Sequence, residues 1–301
     1  MKKQLLIAGG SGLIGTAISA KALQEGWEVT LLSRSGGPGR IVWDPQEGII
    51  HLEESKSFDA IINLAGSSIA GGRWTNERKK DIVESRVHAC NTLQKYLQTG
   101  LLKTRVYLGA SAIGIYGDKK NEPVDEYTPF GPADDWMSST VREWEAGHSR
   151  VEALGIQTIV LRIGIVLSMK GGALPEMLLT ASFGILGYFG NGLQVWPWIH
   201  IDDLVRIFLQ AAGDDKMRGV YFAGSPNPVT NKEITIAAAR AYSPKRLVMP
   251  LPVLMLAIIL GEMRQMLLQS CNGRPMRLLQ EGFKFSYNTV DEAMQDLIRK
   301  R

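Results

Sequence analysis

The chain has 301 residues, 45% of them hydrophobic and 21% charged, with a formal net charge of +4. That is enough for one large domain, or for a core domain with a smaller lobe, and the composition is that of an ordinary soluble globular protein. Lys and Arg are scattered and form no dense block, so a nucleic-acid footprint is not expected, while a mildly basic surface suits an anionic small molecule. Gln4–Ala8 is a short apolar run that ends in glycines, and Thr16–Glu25 has helical spacing and stops at Gly26. Trp27–Ser33 reads as a strand, Asp59–Leu64 as another, and Glu77–Gln98 as a long helix with Ile82, Val87, Leu93 and Leu97 roughly on one face. Val106–Ala110 is a strand, Val141–Ala153 a helix and Gln157–Ile163 a strand. Strands that alternate with helices predict right-handed βαβ units and a parallel sheet.

The rhythm changes after that. Gly171–Gly192 holds six glycines, and Val195–Ile201 is rich in aromatic residues. His200–Ala212 reads as a helix, Val220–Ala223 as a strand, and Asn231–Tyr242 as a helix with Asn231 as N-cap. The apolar stretch Leu247–Leu260 contains Pro250 and Pro252 and is shorter than the roughly 18 residues of a membrane span. It reads as a buried helix that begins near Leu251. Cys90 and Cys271 make neither a disulfide framework nor a metal site and read as buried thiols of a reducing compartment. After Met1-Lys2-Lys3 the apolar run is too short for a signal peptide. A soluble, cytoplasmic protein with no membrane or nucleic-acid partner is expected.

Leu5-Leu6-Ile7-Ala8 leads into Gly9-Gly10-Ser11-Gly12-Leu13-Ile14-Gly15. Gly9, Gly12 and Gly15 form GxxGxxG at a strand end that opens a helix. A dinucleotide pyrophosphate needs that context: glycines let the backbone turn and approach, and the helix start offers free amides. At the end of the second strand, where NAD selection usually places an acid, the chain has Ser33-Arg34. Arg34 can pair with a 2′-phosphate and Ser33 can donate to it, so NADP(H) is the expected cofactor.

Further along, Asn63-Leu64-Ala65-Gly66 resembles the N-x-A-G element of short-chain dehydrogenases/reductases. Ser111-Ala112-Ile113-Gly114-Ile115-Tyr116-Gly117 and Trp198-Ile199-His200-Ile201-Asp202-Asp203 resemble elements of the extended group. With Pro38-Gly39-Arg40-Ile41-Val42-Trp43-Asp44, Arg73-Trp74, Ser85-Arg86, Trp144-Glu145, Leu161–Leu167, Gly171–Leu174 and Gly282–Phe285, nearly the whole chain resembles one branch of that group. It is the atypical "epimerase family" branch, which carries a C-terminal domain of unknown function. The resemblance implies an α/β fold: a doubly wound, Rossmann-type parallel sheet of about seven strands, with a smaller, mostly helical substrate lobe. The expected division is 1–165 plus about 201–224 for the NADP(H) domain, and about 166–200 plus 225–301 for the lobe. The resemblance also implies cofactor contacts from Ser33, Arg34, Leu64, Ala65, Gly66, Arg86 and Val166, and from Asp81, which would hold a ribose hydroxyl or orient an arginine. Leu13 and Ile14 join them at the helix start.

The usual chemistry of that superfamily needs a Tyr and, four residues later, a Lys that lowers its pKa. Trp136 and Thr140 stand where that helical pair belongs, and Ala112 stands at the serine position, so the pair is expected to be missing. An indole only donates. Ser111 and Tyr116 are the candidate substitutes, with His200 as a further acid or a loop anchor. Trp196, Trp198 and Tyr188 would form an aromatic substrate wall or core. Two functions stay open: an NADPH-dependent oxidoreductase or epimerase-like enzyme acting on an unknown small carbonyl or sugar-like substrate, and an NADPH-binding regulator or scaffold, for example in cell division, with little turnover. A monomer is expected, or a homodimer through the helix pair Glu77–Gln98 and Val141–Ala153.

Overall fold

The computed structural model describes residues 2–243 and 245–299; the expected domain ends at Met1 and Arg301 lie outside the described residues. The main sheet is built from β1 (Gln4–Ala8), β2 (Glu28–Ser33), β3 (Arg40–Asp44), β4 (Ile49–Ile50), β5 (Lys56–Asn63), β6 (Leu102–Ala112), β7 (Gln157–Ile163) and β8 (Gly219–Ala223). Their order is β8-β7-β6-β5-β1-β2-β3-β4. Neighbours pair in parallel except β4, which runs antiparallel on β3. The expected seven parallel strands are therefore present, with one short antiparallel edge strand added. The order reverses between β1 and β5, and a doubly wound sheet binds its ligand in the crevice at that point.

The helices are α1 (Leu13–Gln24), α2 (Asn76–Gln98), α3 (Trp136–Glu152), α4 (Ile201–Gly213), α5 (Asn231–Tyr242), α6 (Val253–Leu260) and α7 (Val290–Arg299), with shorter turns between. Period-two alternation along β1 sorts them into two layers. Leu5 and Ile7 join a core cluster with Ile18 and Ala22 of α1 and Leu204 and Phe208 of α4. Leu6 and Ala8 point the other way, into a cluster with Ala89 and Leu93 of α2 and Val151 of α3. A separate core unites Leu174, Leu186, Trp196 and Trp198 with Ile234 and Ala238 of α5 and Ala293 and Met294 of α7. Cys90 and Cys271 are buried free thiols, each pushed up to about 12 by burial.

Several expectations are corrected. α3 begins at Trp136, not Val141, because the Asp135 carboxylate accepts from the Ser138 amide at 2.8 Å and caps the first turn. Thr230, not Asn231, caps α5: its side chain accepts from Glu233 N, and the Glu233 carboxylate accepts from Thr230 N. Asn231 is instead buried, with Oδ1 accepting from Phe189 N at 2.6 Å. β3 was not foreseen at all. The helix expected to be buried from near Leu251 starts at Val253, and in it only Leu256 is buried, while Leu254, Ile258 and Ile259 are exposed. It lies along a rim rather than between layers. The Arg73 guanidinium donates to the carbonyls of Ile258 and Ile259, Lys79 pairs with Glu262, and Met263 and Met266 pack with Trp74 and Trp136. Among the described residues no helix is long and apolar enough to cross a membrane.

Candidate cofactor crevice and active centre

The turn from β1 into α1 has no room for a side chain at Gly9 or Gly15. Gly9 sits at φ +79°, and a Cβ there would lie 2.7 Å from the Leu64 carbonyl carbon. A Cβ on Gly15 would lie 2.5 Å from the Gly9 carbonyl oxygen and 2.6 Å from Gly10 Cα. Gly12 is the N-cap of α1 and supplies no capping side chain, so the first amides of α1, from Leu13 onward, remain available to an anion. Ile14 packs on the core. Leu13 lies under Gly172, where a Cβ would come 3.3 Å from Leu13 Cδ2 and 3.4 Å from the Val166 carbonyl oxygen. Leu13 and Val166 are thus brought together over the helix start. Gly15→Ala is expected to lower stability by about 1–3 kcal/mol through overpacking and to weaken NADPH at least as clearly, measured by denaturant titration and NADPH fluorescence; unchanged values for both would show that the loop tolerates a Cβ.

The opposite lip is the end of β5. Asn63 is fully buried; its amide donates to Tyr107 Oη at 3.0 Å, and its Oδ1 accepts from Ala65 N at 3.1 Å. That bond fixes the Leu64-Ala65-Gly66 turn against Gly9. Arg86 reaches over it from α2. Its Nη1 donates to the carbonyls of Ser67 and Ile82 at 3.0 and 2.8 Å, and it packs 4.8 Å from the Trp144 ring centroid. Burial, and then the nearby Arg78 charge, push the guanidinium down to about 10, so it stays protonated at neutral pH. Asp81 does not clamp Arg86; it pairs with Arg78 at 2.7 Å. Ser33 and Arg34 stand at the end of β2, half-buried and exposed respectively. The cramped glycine turn, the uncapped helix, and Arg34 and Arg86, which form no salt bridge among the described residues, fit a dinucleotide with its phosphates.

At the other end of the crevice the expected substitutes are drawn into the interior. Ser111 Oγ donates to Glu145 Oε1 at 2.5 Å. Glu145 holds Arg162 in a two-point pair at 2.8 and 2.9 Å, and Arg162 Nη1 donates to Tyr116 Oη at 3.0 Å and to the Glu126 carbonyl at 3.2 Å. Burial alone would favour a neutral Arg162, but the Glu145 bonds and charge outweigh it and hold the guanidinium charged. Tyr116 is 0% exposed, and burial pushes its phenol far above its ordinary range. In this structure Tyr116 is a buried partner of Arg162 rather than an exposed acid. Ser111, 2% exposed, is committed to Glu145.

The sequence does contain one Tyr-x-x-x-Lys spacing, Tyr116 to Lys120, which the expectation of a missing pair overlooked. It does not form the pair. Gly117 at φ +66° and Lys120 at φ +52° break the helix, and Lys120 is exposed while Tyr116 is buried. Trp136 stacks obliquely on Trp74 at 4.5 Å between centroids, and Thr140 donates to the Trp136 carbonyl at 2.7 Å. His200 caps α4, its Nδ1 accepting from Asp202 N at 3.1 Å, and stacks 3.7 Å from Tyr287. Trp196 and Trp198 belong to the core around α5 and α7, and Tyr188 is half-buried with Lys232 over its ring. Sequence reasoning gave no role to Glu145 or Arg162; the pattern signal was the Arg162 charge inside the apolar run Ile159–Ile163, while Glu145 sits among other charges of α3. It also passed over His148, whose Nε2 donates to the Ala110 carbonyl at 2.9 Å and whose Nδ1 lies 3.1 Å from Tyr107 Oη.

A family model described as NAD dependent epimerase/dehydratase family matches residues 5–224, and one described as a domain of unknown function (DUF1731) matches residues 251–297. The chain is 32% identical to epimerase family protein SDR39U1 of Homo sapiens, over 98% of this chain and 99% of that protein. It is also 32% identical to epimerase family protein YfhF of Bacillus subtilis (strain 168), over 99% and 98%. Among solved structures, that of human SDR39U1 (isoform2) with NADPH superposes with a TM-score of 0.91 at 32% identity, covering 99% of this chain and all of the other.

Proposed function

Because this chain belongs to the NAD dependent epimerase/dehydratase family, we propose that it binds NADP(H) in the crevice between β1 and β5 and acts on a small carbonyl or sugar-like substrate. The observation that carries the cofactor assignment is the uncapped start of α1 flanked by Arg34 and Arg86, neither of which forms a salt bridge among the described residues. The solved relative in complex with NADPH supports the same choice. When bound, the nicotinamide supplies or takes a hydride. The chain's own groups bind and orient: the Gly9–Gly15 turn receives the pyrophosphate, Asn63 sets the lip beside the adenine ribose, and Arg162 with Glu145 fixes Ser111 at the end of β6.

A second reading, an NADPH-binding regulator with little turnover, is favoured by Trp136 packed against Trp74 where a proton-transferring Tyr would stand. The enzyme reading expects measurable NADPH oxidation with at least one carbonyl in a broad panel. No turnover with any of them, together with partner binding that follows the NADPH/NADP⁺ ratio, selects the regulator. Arg34→Ala is expected to weaken NADPH by about tenfold or more and to leave NADH nearly unchanged, since a charge-assisted bond contributes roughly 1.5–3 kcal/mol. Equal loss for both cofactors would remove the 2′-phosphate assignment.

A further inference from the structure

We propose that Arg40, together with Ser35, completes the 2′-phosphate pocket and is a determinant of NADP(H) over NAD(H); the inference rests on the cofactor reading above. β2 and β3 are neighbours and parallel, with Leu31 opposite Arg40 and Ser33 opposite Val42. Parallel neighbours ordinarily need a crossover of a dozen or more residues. Here Arg34 to Gly39 must bring the chain back, and Gly37 at φ +151° and Gly39 at φ +66° adopt backbone conformations that other residues rarely enter. The Gly37 carbonyl accepts from Arg40 N at 3.1 Å, and the Gly39 carbonyl accepts from Leu31 N at 2.9 Å, closing the turn. The tight return sets Arg40, the first residue of β3, opposite Leu31, two residues before the end of β2.

The side chains then form a chain of contacts. Arg40 Nη1 lies 3.5 Å from Ser35 Oγ, Ser35 Oγ lies 3.4 Å from Ser33 Oγ, and Ser35 N donates to Ser33 Oγ at 3.3 Å. Arg34 follows Ser33 in the sequence and is exposed, so the Arg40 guanidinium and two hydroxyls, with Arg34 next in the chain, stand by the strand end where the ribose 2′ position of a dinucleotide lies. Neither arginine forms a salt bridge among the described residues. The cluster is rich in donors and lacks an anionic acceptor. A phosphate monoester offers acceptor oxygens to the Arg40, Ser35 and Ser33 groups that are in contact, and its charge suits a strand end carrying two arginines.

The test is calorimetric titration of the wild type, Arg40→Ala and Arg40→Lys with NADPH, NADH and 2′,5′-ADP, with circular dichroism to check folding. Arg40 is exposed, so the variants are expected to fold. Arg40→Ala is expected to weaken NADPH and 2′,5′-ADP by about tenfold or more and to leave NADH unchanged, and Arg40→Lys to recover part of the loss. Wild-type affinity of Arg40→Ala for 2′,5′-ADP overturns the proposal, as does an equal loss for NADH and NADPH. A wild type that binds NADPH no tighter than NADH and shows no binding of 2′,5′-ADP overturns the cofactor reading itself, and the role of Arg40 with it.

Discussion

Arg162→Met is expected to destabilise the protein by about 3–5 kcal/mol, the range for removing one partner of a buried ion pair. Net stability of a domain is only roughly 5–15 kcal/mol. Arg162 lies on β7 with 3% of its side chain exposed, and Glu145 has 12%. Taking away the cation strands the Glu145 carboxylate beside Ser111 and leaves Tyr116 Oη and the Glu126 carbonyl without their donor. The loss therefore reflects desolvated groups left unpaired more than the worth of the pair. The double variant Arg162→Met with Glu145→Leu removes both charges and is expected to regain a large part of the loss. Urea denaturation of the two single variants and the double one measures this coupling. Strict additivity of the losses would show that the two side chains act independently.

Stability is expected to fall by about 3 kcal/mol between pH 6.5 and pH 4 on account of His148 alone. The imidazole is fully buried, and burial pushes it down to about 4 from an ordinary value of 6.5, against the opposing pull of its bond to the Ala110 carbonyl. Above pH 6.5 the ring is neutral in both the folded and the unfolded chain. As the pH drops below 6.5 the unfolded chain takes up a proton that the folded chain refuses, so stability is lost progressively until about pH 4, at about 1.4 kcal/mol per unit. His148→Gln keeps a donor for Ala110 and an acceptor for Tyr107 without titrating. The difference between wild type and His148→Gln in urea midpoints at pH 7, 5.5 and 4.5 isolates the histidine from the carboxylates that titrate in the same range. Parallel pH profiles for the two proteins would refute the assignment.

The parts of the fold that depend on local pattern were legible in the sequence. Gln4–Ala8 and Gln157–Ile163 have the bounds expected from apolar runs flanked by turn residues. The glycine turn was legible because its requirement is a backbone without Cβ atoms, which the residue names state directly. The start of α3 was not: Trp136-Met137-Ser138-Ser139-Thr140 mostly has middling helix propensity, and the turn is held by the Asp135 cap and by packing. β3 was missed because alternation leads one to expect a helix after β2, whereas a glycine-rich return supplies the crossover. At the candidate active centre the sequence offered residue names but not their contacts. Ser111 meets Glu145 across 34 residues of sequence, and Glu145 meets Arg162 across 17. Only the stacking of α3 on β6 and β7 shows that Tyr116 and Ser111 are buried partners of a charge pair.

The rim segment that contains α6 has a consequence for modularity. Several of its attachments reach back to the other half of the chain: Arg73 at the carbonyls of Ile258 and Ile259, Lys79 at Glu262, and Trp74 in the cluster that Met263 and Met266 pack against. A chimera that took residues 251–297 from a relative would have to import partners for Arg73, Trp74 and Lys79 as well. The two family matches are separate in the sequence, with residues 225–250 between them, yet substitutions in either are constrained by the same contacts, so the C-terminal region cannot be exchanged as a cassette.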